Sequence, residues 1–504
     1  MEYDYVIIGG GISGLYIYFN LLNSSKFKNK KILLIEKNPH LGGRIYTDKV
    51  NLNKKNYFFE AGAGRFAESH KRLNKLIKKL DLEKNKLKIP NKIDFVNLKT
   101  KTNQSLHHHT IYLDEITKKY ANKNNQSTLQ KITFKKLLQE NFSPQITKHI
   151  EEGYEYKDLF TTNAYEAVNN YYKNFNSTEQ FYILTSGMSS IIQNLTKKLN
   201  KKNANIKTNT KVSDIIKVKN ATNNYVIKAE NNGKKLLIKT NAIMLTVTND
   251  ILKKFSILQK VKKSHIESVK NTPLTRIYSI FDTKNVWFLN TKKTTTTSPV
   301  QYVIPINEKQ GTIMSSYTDM DNAIMWNKLN QKSPKKLEEK LLKELSKIYN
   351  RKIPKPKTNR VYHWYNGVAA WQPKFNTKKI KKEIKKPIHN ENIYIAGENY
   401  SNYQGWIEGA LETSENVLNL LKKQKNTRKK TKKRYSRQKL RGGTRKIPNC
   451  CTHNKKAKQC KTKNNIKQKK IYNLPRRFTR KRCTKGPIKG FSMRSSCTPY
   501  NSCR

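Results

Sequence analysis

Cysteine is absent from the first 420 of the chain's 504 residues, and all six (Cys450, Cys451, Cys460, Cys483, Cys497, Cys503) lie near the C-terminal end. That distribution excludes a disulfide framework and thiol chemistry from the body. Acid is missing from the other end. Residues 421–504 hold 31 of the 103 Lys and Arg and none of the 35 Asp and Glu, so the first 420 residues carry +37 and the last 84 carry +31. Long apolar runs are missing too. Nothing approaches the roughly 20 residues a membrane-spanning helix needs, and Met1-Glu2-Tyr3-Asp4 lacks the basic start of a signal peptide. Hydrophobic residues make up only 36%. These absences predict a protein with no membrane span, soluble, cytoplasmic and made in a reducing compartment, with two or three structural units on length alone.

What is present begins at once. "YDYVIIGGGISGLYIYFNLL" is a short apolar strand, then Gly9, Gly11 and Gly14 in G-x-G-x-x-G spacing, then a helical pattern; a second apolar strand, "KKILLIE", ends in Glu36. In that context the glycines read as a dinucleotide cradle. Gly9 permits the tight turn, Gly11 lets a pyrophosphate approach the backbone, and Gly14 lets helix and strand pack closely. The first helical turn, with Ile12 and Ser13, offers N–H groups and partial positive charge to phosphates. Glu36, followed by Lys37, is placed to accept hydrogen bonds from an adenosine ribose.

Three further motifs choose the dinucleotide. "HLGGRIYT" carries Gly42, Gly43 and Arg44; "FFEAGAGRF" carries Gly62, Ala63, Gly64 and Arg65; and "NIYIAGENYSNYQGWIEGALE" carries Gly397, Glu398, Gly405, Trp406 and Ile407. In this order they resemble the flavin-containing amine oxidase family (the monoamine, polyamine and L-amino-acid oxidase superfamily), over about residues 3–420. The resemblance implies FAD, and the cysteine-free body excludes covalent attachment through cysteine. It also implies that Val212 brackets the adenine, that Gly397 and Glu398 meet the ribityl and pyrophosphate, and that Gly405 to Ala410 present N–H groups to the pyrimidine edge of the flavin. Trp406 would form one wall of the substrate cavity, or else belong to the core.

On the substrate side, "AGAGRFAESH" is closer to the L-amino-acid oxidase version, in which Arg65 would grip a substrate carboxylate; a contact to flavin phosphate or an internal acid stands equally beside that. A guanidinium fork suits the first role. Two departures qualify the resemblance. Arg276 stands where the family has a lysine that holds water near the flavin and favours re-oxidation by oxygen. Val368, Ala369 and Ala370 fall where a second aromatic wall is expected, flanked by Trp364 and Trp371, each of which could line the cavity or equally belong to the core. The implied chemistry is hydride transfer from a small amine or L-amino acid to flavin, oxygen accepting the electrons, with positioning carrying most of the rate.

The expected fold is α/β: a Rossmann-type FAD-binding domain (residues 1–66, 187–250 and 385–420) interleaved with an α+β substrate domain (67–186 and 251–384). Residues 130–185 have helical periodicity. Residues 85–128, with "HHH" at 107–109, read as a solvated loop rather than a metal site. A basic linker (421–444) leads to a basic, cysteine-containing and largely disordered tail (445–504). Blocks such as "LKKQKNTRKKTKKRYSRQKLR" repel themselves, stay extended and suit nucleic acid or other polyanions, a localisation signal, or plain solvation. The tail resembles a basic cysteine-containing module of large cytoplasmic DNA viruses. That implies a giant-virus amine oxidase-like protein of the host cytoplasm, packaging in the virion included. Its cysteines could bind zinc, pair or stay free. The other function class is a virion or nucleic-acid-associated protein with a structural flavin domain.

Overall fold

Strand Glu2–Ile8 explains its own continuous apolar run. Val6 and Ile8 enter one core and Ile7 the other, so both faces of the strand are covered. The same alternation holds in Ile32–Ile35 and Ile393–Ile395, where Leu34 and Tyr394 face the core that holds Ile7. Runs buried on both faces are the mark of a parallel sheet. The sheet has seven strands in the order Asn205–Lys207, Ile32–Ile35, Glu2–Ile8, Lys234–Leu245, Tyr225–Asn231 and Thr210–Lys217, with Ile393–Ile395 added in parallel on Lys234–Leu245. Helices Ile12–Leu22 and Ser189–Asn200 cover one face through Leu15, Leu195 and their neighbours. Burying each such aliphatic side chain stabilises the fold by about 1.5–3 kcal/mol.

The computed structural model describes residues 2–503 apart from 101, 106, 122–125, 176–177, 219–223, 260–262, 440–448, 453–456 and 463–470. The chain forms two units, Met1–Lys423 and Gln424–Arg504. A second seven-stranded sheet in the first unit runs Thr358–Trp371, Val269–Ile280, Thr312–Asp319, Tyr302–Asn307, Lys293–Thr296, Ile93–Asn97 and Thr102–Ser105. Helices Met320–Lys332 and Pro334–Tyr349 pack on it through Trp326, Leu337, Leu341 and Leu345. Helices Phe134–Asn141, Pro144–Gly153 and Ala164–Asn174 share a separate core around Phe134, Ile150 and Tyr171. The fold is thus mixed α/β, as the sequence predicts.

One expectation is corrected. Residues 85–128 are not a loop throughout: they supply strands Lys86–Ile89, Ile93–Asn97 and Thr102–Ser105 and helix His107–Tyr120, which includes the three histidines. Phe95 is buried, Ile93–Val96 pairs in parallel with Lys293–Thr296, and Leu113 and Ile116, three apart, face the helical core. The helix beginning at Ile407 continues to Lys439, and Lys, Arg and Gln are good helix formers.

In the second unit, Gln459–Lys461 pairs with Ile471–Asn473, and helices Arg480–Lys485 and Phe491–Cys497 follow. Its cysteines are paired: Cys450 with Cys460, Cys451 with Cys503, and Cys483 with Cys497. They also make up most of its buried core, with Met493 and Tyr500. Of the three fates open to these cysteines, the structure takes the disulfide.

Candidate active site

The first glycine turn is tied from three sides. Gly11 is the N-cap of helix Ile12–Leu22 and provides no side-chain cap. Gly9 has φ +113°, and the hydroxyl of Thr246 donates to its carbonyl at 2.9 Å. A Cβ on Gly14 would lie 2.0 Å from the Gly9 oxygen, so only glycine lets strand and helix close so tightly. Glu36 is buried, and its two oxygens accept from Gly10 N–H at 2.7 Å and Asn38 N–H at 2.9 Å. Each oxygen keeps a further lone pair. Lys37 beside it is exposed. Thr210 N–H bonds the Glu36 carbonyl at 2.8 Å, which brings the strand carrying Val212 alongside.

The other motifs converge here. Gly42 pairs with Gly11 as an isolated bridge, and a Cβ on Gly43 would stand 3.3 Å from the Gly11 Cα. Arg44 reaches across with one nitrogen to Glu398 at 2.6 Å and to the Gly367 carbonyl at 2.9 Å. The second oxygen of Glu398 accepts from Gly405 N–H at 3.0 Å. Ala63 N–H bonds the Arg44 carbonyl, and a Cβ on Gly62 would meet that oxygen at 1.9 Å, so the 61–64 turn lies flat along Arg44. Ser13 closes the ring, its hydroxyl donating to the Ala410 carbonyl at 3.3 Å, while Ile12 and Ile407 share one core.

Trp406 opens the last motif, half-buried in an aromatic cluster. Phe181 stacks on it at 6.0 Å, Phe175 tilts against it at 5.4 Å, and His70 meets it edge-on at 4.7 Å. His70 is fully buried; its Nδ1 accepts from Ala67 N–H and its Nε2 faces Asn174 Oδ1 at 3.1 Å. These partners assign a neutral ring protonated at Nε2, and burial pushes its pKa down to about 4. Glu408, two residues on, turns the other way. It accepts from the Arg72 and Leu73 N–H groups and the Arg72 guanidinium, capping helix Lys71–Lys79.

Arg65 also belongs to this cluster. Its guanidinium lies 4.3 Å from the centre of the Phe181 ring, donates to Tyr156 Oη at 3.1 Å, and stands 4.0 Å from Glu155. Burial opposes its charge, but Tyr156, Tyr302 and Glu155 more than offset that and keep it cationic. Arg276 is the cross-strand partner of Tyr317, over whose ring it sits at 4.4 Å. It donates to the Glu60 carbonyl at 2.7 Å and to the Gly62 carbonyl, bracing the 60–64 turn. Burial pushes the Glu60 carboxyl up to about 7.

Of the two places open to it, cavity wall and core, Trp371 takes the core. It is 1% exposed, packs on Tyr400, and donates from Nε1 to the Ser401 carbonyl, which makes it a core residue. Trp364, by contrast, donates to the Ala61 carbonyl at 2.6 Å. Sequence reasoning missed Phe175, Phe181, Tyr156 and Tyr317, which come from four separate elements or their caps. Only the apolar run at Phe181–Leu184 signalled any of them.

The turns fit an elongated dinucleotide. A Cβ added to Gly11 or to Gly397 (φ +143°) would meet nothing within 4 Å, so at both the backbone is bare. Among the described residues no group of three or more His, Cys, Asp or Glu could hold a metal ion, and no helix is long and apolar enough to cross a membrane.

Comparison with known proteins agrees with this geometry. The sequence pattern of flavin containing amine oxidoreductases matches residues 12–417. An uncharacterized protein of Acanthamoeba polyphaga mimivirus is 23% identical, over 83% of this chain and 93% of its own. Achacin of Lissachatina fulica is 22% identical, over 82% of this chain and 92% of its own. The structure of putrescine oxidase bound to putrescine superposes with a TM-score of 0.64 at 13% identity, covering 84% of this chain and 99% of that one.

Proposed function

The chain belongs to the flavin-containing amine oxidoreductases, its cofactor is FAD, and from that premise we propose that it oxidises the CH–NH bond of a small amine or L-amino acid, with oxygen accepting the electrons. The observation that carries this reading is the convergence of Gly11, Gly43 and Gly405, through Arg44 and Glu398, beside the aromatic cluster of Trp406. When bound, FAD supplies a two-electron hydride acceptor.

In this reading the first sheet, with residues 1–66, 187–250 and 385–420, holds the cofactor, and segments 67–186 and 251–384 shape the substrate side. Glu36 accepts from the adenosine ribose, Val212 borders the adenine, and Gly9 to Gly14 with Gly43 and Arg44 cradle the pyrophosphate. Gly62 to Arg65 and Gly397 with Glu398 border the rest of the cofactor, and the Gly405–Ile407 helix start offers N–H groups to charge developing on its far edge. Trp406 forms the wall against which the substrate is oriented. Arg65, held on Phe181, turns its remaining donors to a substrate carboxylate or a flavin phosphate, or rests on Glu155 alone. Arg276 already spends a nitrogen on the Glu60 and Gly62 carbonyls and cannot give up a proton as lysine can. Re-oxidation by oxygen is therefore slow.

The test is a purified full chain screened anaerobically with amines, polyamines and amino acids while the flavin absorbance is followed. Bleaching by one class supports the reading, and a colourless protein that takes up no FAD ends it.

A second reading concerns the tail. Residues 421–504 carry 31 cations and no acid, which supports contact with nucleic acid or another polyanion in the host cytoplasm or the virion. Salt-sensitive DNA binding that disappears on deleting 421–504 is the outcome that supports it.

A further inference from the structure

The second unit presents its charge on a built surface. Arg477, Lys481, Arg482, Lys485, Lys489 and Arg494 are exposed along helices Arg480–Lys485 and Phe491–Cys497 and their flanks. Between them stands Phe491, 89% exposed, the most exposed large apolar side chain among the described residues. It follows Gly490, whose φ of +74° turns the chain just before the helix. Cys483–Cys497 ties the two helices together, and the buried core beneath consists of Cys450, Cys460, Cys483 and Cys497 with Met493 and Tyr500. A fully exposed ring costs solvation, and it serves nothing in that core. A cationic surface with one bare ring combines the two contacts a single strand offers: a phosphate backbone for the charges and an unstacked base for the ring. A duplex offers only the first, and an anionic membrane needs a broader apolar face than Phe491 and the separate Ile471 provide.

We propose that residues 477–494 form a binding surface for single-stranded nucleic acid, with a base stacked on Phe491 and the surface assembled by the disulfides. This rests on the polyanion reading of the tail and names both its partner and its condition. The six cysteines are the whole cysteine content of the chain, so a thiol reductant acts on this unit and leaves the flavin-binding unit without a target.

The test uses the full chain purified without reductant. Fluorescence anisotropy is measured with a labelled oligothymidylate and a duplex of equal length across a salt series, before and after dithiothreitol, with flavin absorbance monitored. Single-strand affinity should fall about tenfold in Phe491→Ala, as expected for one lost stacking contact, recover in Phe491→Tyr, and leave duplex affinity unchanged. Dithiothreitol should abolish the single-strand preference without altering the flavin band. Equal affinity for both nucleic acids with a silent Phe491→Ala overturns the proposal while leaving the polyanion reading intact. So does equal single-strand binding by the reduced and oxidised protein. Binding to phosphatidylserine vesicles and to neither nucleic acid overturns both, as does no binding at all.

Discussion

Arg44 and Glu398 lie 354 positions apart and meet at 2.6 Å. The same carboxylate takes the Gly405 N–H on its other oxygen. One acid thereby joins the early G-G-R turn to the late helix start. Glu398 is nearly buried while Arg44 is 29% exposed.

Glu398→Ala should therefore cost more than a surface pair. Removing one partner of a fully buried pair costs about 3–5 kcal/mol, and the exposure of Arg44 lowers the expectation to about 2 kcal/mol. The protein should purify with less FAD per chain, read from the ratio of flavin to protein absorbance, and melt earlier. Glu398→Gln, which can still accept from Gly405, should fall between. Full flavin content in Glu398→Ala would remove the pair from cofactor binding.

Trp406→Ala should keep FAD and lose substrate. The ring is half-buried and packs on Phe181, Phe175 and His70 rather than in the main core. Anaerobic flavin reduction should slow at least tenfold, with Trp406→Phe recovering part of it. An unchanged reduction rate in stopped flow would assign Trp406 to packing alone.

His70 sets an acid limit on stability. Its pKa in the fold is about 4 against an ordinary 6.5, so the unfolded chain takes the proton first as pH falls. The stability it supports is whole above about 6.5 and is lost between there and about 4, worth ~3 kcal/mol at about 1.4 kcal/mol per unit. Glu60, raised from 4.5 to about 7 by burial, works oppositely, costing stability as pH rises across that range. The measurement is therefore a difference. Between pH 6.5 and 4, wild type should lose melting temperature faster than His70→Gln. Parallel curves would show that His70 is not the group responsible.

Arg276→Ala should loosen the 60–64 turn. The Gly62 carbonyl would lose its donor while the Glu60 carbonyl kept the Tyr278 hydroxyl at 2.9 Å, and at a partly buried site that should cost about 1 kcal/mol. Arg276→Lys should recover part of that stability and speed flavin re-oxidation by oxygen in stopped flow. Slower re-oxidation in the lysine variant would argue that arginine is the better residue there.

The glycine motifs were legible in the sequence because their constraint is local. A turn with φ above zero, or a helix start where an added Cβ would lie 2.0 Å from the Gly9 oxygen, admits glycine and little else. Arg44 and Glu398 were legible as members of those motifs, but their mutual contact was not. Trp371 stayed open between two places because an aromatic in a strand end looks the same whether it lines a cavity or packs on Tyr400. Phe175, Phe181, Tyr156 and Tyr317 went unread because long-range register, such as Arg276 opposite Tyr317, brings them together. The strands within 85–128 were hidden by Lys and Asn on their exposed faces, with Phe95 and Val96 too few to show an alternation.

The hexapeptide from Gly405 to Ala410 answers to two neighbours at once: Trp406 leans on Phe181, while Glu408 closes helix Lys71–Lys79. Grafting that segment from a relative would import an acid fitted to a foreign first turn. A chimera that aims to change which compound is accepted would have to carry residues 67–80 along with it, or trade selectivity for a frayed helix.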